Sequence, residues 1–304
     1  MMKCKLDRLK GIDIPKSIIF TEKDNKLIIT MNSSCINANM QENRAAFEAW
    51  ALLGKAKGYN EVILKLNIDD TIKCDGHYNR FLYRVYCFNE LFDWFVMSKE
   101  LEERAKKFYN KYFKNNDLIY NIPVNNEEKE PKHPEAKLEI FLANHTQKAN
   151  EKLGLNVNCF YHQLPVGTFY GKKSRNTRVF TGGKSAIDLW GIEGNKLNVI
   201  ELKVKDNKSL GVLSELFFYV CLMRDFHIEP KKAKPVQERG TDLRGFDILR
   251  KQKIKMINGI ILTEQIHPQL EYAFEEIKKC NSKDKRINFD KFIEIDEELK
   301  KEYY

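Results

Sequence analysis

The chain has 304 residues, 42% of them hydrophobic, and a formal charge of +9: enough apolar material for two sizeable cores, and a charge that suits a polyanionic partner or a lysine-rich surface. It contains no apolar run of about 18 residues and no apolar stretch behind its first residues, so neither a membrane span nor a signal peptide is expected, and a cytoplasmic home is. Seven widely spaced cysteines with no C-x-x-C pair read as free thiols in a reducing compartment, not as a disulfide framework or a zinc site.

Residues 1–125 read as a smaller α+β module. Two short strands, 17–21 and 26–31, flank the turn Glu22-Lys23-Asp24-Asn25. A helix follows over 43–57, with Ala46, Phe47, Trp50 and Leu53 at helical spacing and Gly58 as its stop, and 61–66 alternates as a strand. The stretch 78–112 predicts one long helix, apolar through Phe81, Leu82, Val85, Phe88, Leu91, Phe92 and Phe95. Aromatics at that spacing are what a buried helix or a dimer interface needs, with base stacking as the alternative use. The acidic residues of this part, Glu61, Asp69, Asp70 and Asp75, form no recognisable constellation, and the module is given no chemistry.

Residues 126–132, polar, charged and preceding Pro134, read as a linker to a second domain over 133–304. That domain opens with a helix whose first position suits Pro134 and whose buried stripe is Leu138, Phe141, Leu142 and His145. Glu135, in the first turn, favours the helix dipole, while Glu139 borders the stripe. A first core strand spans 159–167, where Gln163 can orient a water or phosphate or bond to a neighbouring strand. In the loop 171–178, the cations Lys172, Lys173, Arg175 and Arg178 form either a salt-sensitive grip on phosphates or a solvated turn.

Two strands, 185–192 and 197–204, then flank the turn Glu193-Gly194-Asn195-Lys196. Period-two alternation places Glu201 and Lys203 on one face of the second strand and the apolar Ile200, Leu202 and Val204 on the other, the pattern of a strand covered on both sides. Opposite charges inside such a strand are costly unless they pair, hydrogen-bond or meet a metal ion. Asp188 on the first strand can converge with Glu201 on a hard divalent cation; a plain ion pair between Glu201 and Lys203 needs none. Downstream come a helix over 210–225, a basic excursion over 226–250 that is a candidate nucleic-acid contact, a strand over 257–262, a helix over 268–279 and a last strand over 287–295.

The order helix, three strands, helix, strand, helix, strand, with Asp188 followed across a hairpin by Glu201-Leu202-Lys203, resembles the PD-(D/E)XK, or restriction-endonuclease-like, nucleases. The resemblance covers 133–304. It implies a mixed α/β (α+β) fold class: a restriction-endonuclease-like core with a central mixed sheet flanked by helices, plus the N-terminal α+β module. It also implies hydrolysis of phosphodiester bonds, in DNA more than RNA, with Asp188, Glu201 and Glu139 holding Mg²⁺ or Mn²⁺ and Lys203 stabilising developing charge or orienting water. Glu139 matches the acidic residue such folds carry on the helix before the sheet. The Gln or similar group often found on the helix after the lysine is absent, and Ser214 and Glu215 at that place receive no role. A homodimer would pair two sites for the two strands of a duplex. The competing reading is a catalytically silent nucleic-acid-binding or assembly module on the same fold, told apart by whether Asp188 and Glu201 hold metal.

Overall fold

The structure, a computed structural model, describes residues 4–8, 14–69, 72–115, 117–123, 131–181, 185–204, 209–236, 244–265 and 268–303. Near the start, β1 (Ile18–Lys23) and β2 (Lys26–Asn32) form a hairpin. Its two turn residues, Asp24 and Asn25, have φ of 50° and 56°, the left-handed region that Asp and Asn enter most readily among side-chain-bearing residues. The single turn α1 (Ser33–Ile36) leads to α2 (Phe47–Ala56), and β3 (Glu61–Asn67) then pairs parallel with β2.

The long helix expected over 78–112 is instead two, α3 (Gly76–Leu91) and α4 (Lys99–Phe113), with β4 (Phe95–Met97) between them pairing parallel with β3. The chain leaves the helix at Phe92, whose backbone is extended, and buried Phe95 and Met97 then alternate with exposed Val96. An unbroken apolar run concealed this change of period from 3.6 to 2. After β5 (Leu118–Tyr120), residues 126–130 of the expected linker lie outside the described residues.

The remainder runs α5 (Pro134–Asn144), α6 (Thr146–Leu153), β6 (Phe160–Pro165), β7 (Thr168–Tyr170), β8 (Ala186–Glu193), β9 (Lys196–Lys203) and α7 (Gly211–His227). It continues through β10 (Ala233–Pro235), α8 (Phe246–Lys251), β11 (Met256–Thr263), α9 (Pro268–Lys278), β12 (Ile287–Glu294) and α10 (Glu297–Lys300). The fold is mixed α/β: among the described residues, three mixed sheets are flanked by ten α-helices. The central sheet has the order β12-β11-β9-β8-β6; β6, β8 and β9 are antiparallel, and β11 and β12 join parallel. Those parallel joins need crossovers, supplied by α7 and α9. No described helix is long and apolar enough to cross a membrane.

Strand β9 is covered on both faces, as its composition requires. Ile200, Leu202 and Val204 pack in a cluster with Leu138, Leu142 and Leu153, while Leu197 and Val199 join Leu213, Leu216 and Phe217 in the larger core. The far side of α7 meets the N-terminal helices: Phe88 lies 5.4 Å from Phe217 and Tyr83 5.8 Å from Phe218, ring to ring. The aromatic stripe of α3 therefore goes into core packing. A buried ion pair between Glu48 and Arg84, at 2.8 Å, accepts a further hydrogen bond from the Ser214 hydroxyl and ties α2, α3 and α7 together. The third sheet, β10-β5-β7, likewise combines a strand from 118–120 with two from later in the chain.

Gly211 begins α7 directly against the main chain of Gln41, where a Cβ would meet the Gln41 carbonyl oxygen at 2.1 Å. Backbone cannot swing aside as a side chain can, so Gly211→Ala is expected to cost about 1–3 kcal/mol in a urea titration. An unchanged midpoint would mean that the Gln41 segment does not rest on α7 in solution.

Candidate active site

The site is built on the β8–β9 hairpin. Its two-residue turn, Gly194-Asn195, uses a left-handed glycine (φ 60°) to reverse the chain, and the pairs run from Glu193↔Lys196 to Leu189↔Ile200. One step further along the same register, Asp188 stands opposite Glu201. There the ladder ends, and Asp188 Oδ2 accepts the main-chain N–H of Leu202 at 2.9 Å. Lys203, two residues from Glu201 and on its face, donates from Nζ to Glu201 Oε1 and lies 3.5 Å from Glu215 Oε2 on α7.

Strand β6 adds the next residue by breaking its own regularity. It pairs with β8 at His162↔Leu189 and Leu164↔Ile187 but not at Gln163, which takes the left-handed φ of 56°. A non-glycine residue held there is strained, a cost of about 1–3 kcal/mol that concentrates at functional sites. The Gln163 amide donates to Glu139 Oε2 at 2.5 Å. Glu139 and Glu135 lie one turn apart on α5, and each can bring a carboxylate oxygen within 4.8 Å of the others and of Asp188, a group that could hold a metal ion. Glu135, in the first turn of α5 as expected, also belongs to this group.

Four buried carboxylates, Glu139, Asp188, Glu201 and Glu215, face the single buried amine of Lys203, so they cannot all ionise at ordinary pH. Burial, aided by the neighbouring charge of Asp188, pushes Glu139 up to about 8. Burial likewise pushes Asp188 up to about 7, against the pull of Lys203 and the Leu202 N–H. Glu201 is raised further by burial and by the charges of Asp188 and Glu215. Glu215 behaves oppositely: burial opposes its charge, but Lys203 and hydrogen bonds from Glu201, Gln41 and Tyr219 outweigh it and hold the carboxyl below its usual range. Lys203, although buried, is raised by Glu201, Glu215 and Asp188 and stays charged.

Asp188, Glu201, Lys203 and Glu215 line a cavity of about 570 Å³, with Glu135 of α5; Glu139 stands behind the lining. Its sheet side carries Gln163, Asp188, Glu201 and Lys203, and α7 contributes Glu215 and Tyr219. The opposite wall comes from the module to which no chemistry was given: Gln41, His77 and Arg80. Gln41 Nε2 donates to both oxygens of Glu215, at 2.8 and 2.9 Å, and the Tyr219 hydroxyl donates to Glu215 Oε1 at 3.1 Å. A signal for Glu215 was present, since a carboxylate stands among Leu213, Leu216, Phe217 and Val220 on a helix that is otherwise apolar there. Nothing local marks Gln41 or Arg80. The structure brings together Asp188, Glu201, Lys203, Glu139 and Gln163, but Lys172, Lys173, Arg175 and Arg178 are exposed in their loop and do not line the cavity.

The residues present fit a hard divalent cation. Among the described residues no protein donor reaches the buried Glu201 Oε2, which leaves a shared proton or a cation to satisfy it. The group whose oxygens come together, Glu135, Glu139 and Asp188, does not include Glu201; it offers only carboxylate oxygens, the set preferred by Mg²⁺ and Mn²⁺ over zinc. Compared with family models, curated proteins and solved structures, the chain matches none.

Proposed function

We propose that the chain is a metal-dependent nuclease of the PD-(D/E)XK kind, hydrolysing phosphodiester bonds in DNA. The observation that carries the reading is the hairpin register that opposes Asp188 to Glu201 and sets Lys203 beside them, buried in one cavity. The topology supports it: a helix, three antiparallel strands, a crossover helix and a parallel fourth strand follow one another as in that family.

Asp188 and Glu139, with Glu135, are the residues to hold Mg²⁺ or Mn²⁺, and Glu201, opposite Asp188 with Oε2 unpartnered among the described residues, is the further ligand. When bound, such an ion supplies Lewis-acid polarisation of a phosphoryl oxygen and an acidified water. The protein does the rest. Lys203, kept protonated between Glu201 and Glu215, provides fixed positive charge for the negative charge that grows on phosphate oxygens. Glu215, clamped by Gln41 and Tyr219, holds the ammonium in place. Gln163 fixes the carboxylate of Glu139, so that it meets its ligand already oriented.

The test is cleavage of plasmid and single-stranded DNA in Mg²⁺, Mn²⁺ or EDTA by the native chain and by Glu201→Ala. Cleavage should require metal and should fall by about 10³-fold or more in the variant. Cleavage that persists in EDTA, or equally in Glu201→Ala, would place the activity elsewhere. Metal-indifferent binding without cleavage of DNA or RNA would leave a binding module.

A further inference from the structure

Three buried arginines occur among the described residues, and two form buried ion pairs: Arg84 with Glu48 at 2.8 Å, its Nε left without a partner, and Arg224 with Asp225 at 3.0 Å. Arg80 is different. It is 6% exposed and lines the cavity, yet among the described residues it forms no ion pair. Its Nη2 donates to the Thr181 carbonyl at 2.9 Å and to the Thr181 hydroxyl, and its guanidinium lies 5.4 Å from the ring centre of Phe218. Nε is buried with no partner, and Nη1 makes no hydrogen bond. Burial disfavours its charge and the Glu215 carboxylate of the same cavity favours it only in part; a buried cation with no ion pair is expensive, and native chains keep one only where something else offsets it.

Its position is held firmly. Gly76 packs on the main chain of Phe180 and Thr181, where a Cβ would meet the Thr181 nitrogen at 2.4 Å, and the Asn79 amide donates to the Val179 carbonyl at 2.8 Å. The start of α3 is thereby fixed to the cavity wall. His77, one turn before Arg80, also lines the cavity and has a buried Nδ1 without a partner.

We propose that Arg80, with His77 beside it, is a phosphate subsite facing the carboxylate wall, and that it seats the phosphate next to the scissile one on the same strand. The identity of the ligand as a DNA strand rests on the nuclease reading; the anion subsite itself does not. Two consecutive phosphates held in one cavity, one at the acidic wall and one at Arg80, make an oligonucleotide the substrate class, in preference to an isolated phosphodiester. Arginine suits this role because its planar donors match phosphate oxygens and its charge persists when buried.

The experiment is binding of a labelled single-stranded DNA of about twelve nucleotides, by fluorescence anisotropy in EDTA over a salt series, for the native chain, Arg80→Gln and Arg80→Lys. Loss of one phosphate contact should weaken binding about tenfold and lower the slope of log affinity on log salt by about 0.7 in Arg80→Gln, with the slope largely kept in Arg80→Lys. A folded Arg80→Gln protein with native affinity and native slope overturns the proposal. If that variant does not fold, arginine modification of the native chain by phenylglyoxal decides. Modification at Arg80 should slow about tenfold under a phosphodiester oligonucleotide and not under its uncharged methylphosphonate counterpart; equal rates overturn the subsite. A chain that shows the Arg80 effect but never cleaves refutes the nuclease and keeps the subsite, whereas cleavage with Arg80 indifferent does the reverse.

Discussion

Replacing Asp188 by Asn is expected to abolish metal-dependent cleavage while leaving the metal-free protein at least as stable as the native chain at pH 8. The amide has the shape of the carboxylate and can still accept the Leu202 N–H, so the hairpin loses nothing it needs for packing. What goes is a negative charge among Glu139, Glu201 and Glu215. In the folded chain Asp188 is pushed up to about 7 and Glu139 to about 8, chiefly by burial. Unfolded, both ionise near 4. Groups raised on folding contribute stability that is complete below about pH 4 and is lost as pH rises through 7 to 8, because the unfolded chain then sheds protons that the fold still holds. The metal-free native protein should therefore lose stability between pH 4 and pH 8, by up to about 9 kcal/mol where the two shifts add, and Asp188→Asn about 4 kcal/mol less. Millimolar Mn²⁺ should raise the melting temperature of the native chain at pH 8 and barely move that of the variant. Thermal melts at pH 5 and pH 8, with and without Mn²⁺, check all of this. Equal destabilisation by the substitution at both pH values, with no Mn²⁺ effect on either protein, would make Asp188 a structural residue.

Lys203→Met should behave in the opposite way and lower stability by about 3–5 kcal/mol at pH 8, in addition to removing activity. Methionine replaces most of the apolar stem, so the loss reports the ammonium. Without it, Glu215 keeps a buried charge that is left to the hydrogen bonds of Glu201, Gln41 and Tyr219, and Glu201 loses the one donor that reaches its Oε1 among the described residues. Below about pH 5 the penalty should shrink, since the stranded carboxyls can take up protons. Adding Glu215→Gln should restore much of the stability and none of the activity, a coupling readable from the double-mutant cycle. Denaturant midpoints for the four proteins test it; a Lys203→Met midpoint equal to the native one would show that the ammonium does not offset the buried carboxylates.

The centre of the site was legible in the chain because its information is local. Period-two alternation, a glycine-containing two-residue turn and an apolar opposite face are enough to set Glu201 beside Lys203 and Asp188 across from them, as they stand. The helix misread over 78–112 failed for a physical reason: Phe92, Phe95 and Met97 are as apolar as a helix core, and only tertiary pairing with β3 selects the strand. Glu135 stands in the first turn as read, and its nearness to Asp188 was not legible because a first-turn carboxylate already has a sufficient local explanation. Gln41 and Arg80 carry no local mark at all. Their place depends on Gly211 and Gly76 admitting another segment's backbone, and a glycine looks the same whether it is crowded or free.

The contact between Gln41 and Glu215 joins positions 174 residues apart. The hairpin bearing Asp188 and Glu201 closes over a two-residue turn and can form within its own neighbourhood, at the rate of a local event. The opposite wall must await closure of a loop of that great length, whose entropic cost grows with the logarithm of chain separation. In synthesis, Gln41 and Arg80 emerge long before α7 exists to receive them. A nascent chain therefore carries Arg80 before its acids, and the enclosure that joins the two walls forms only when that distant contact closes.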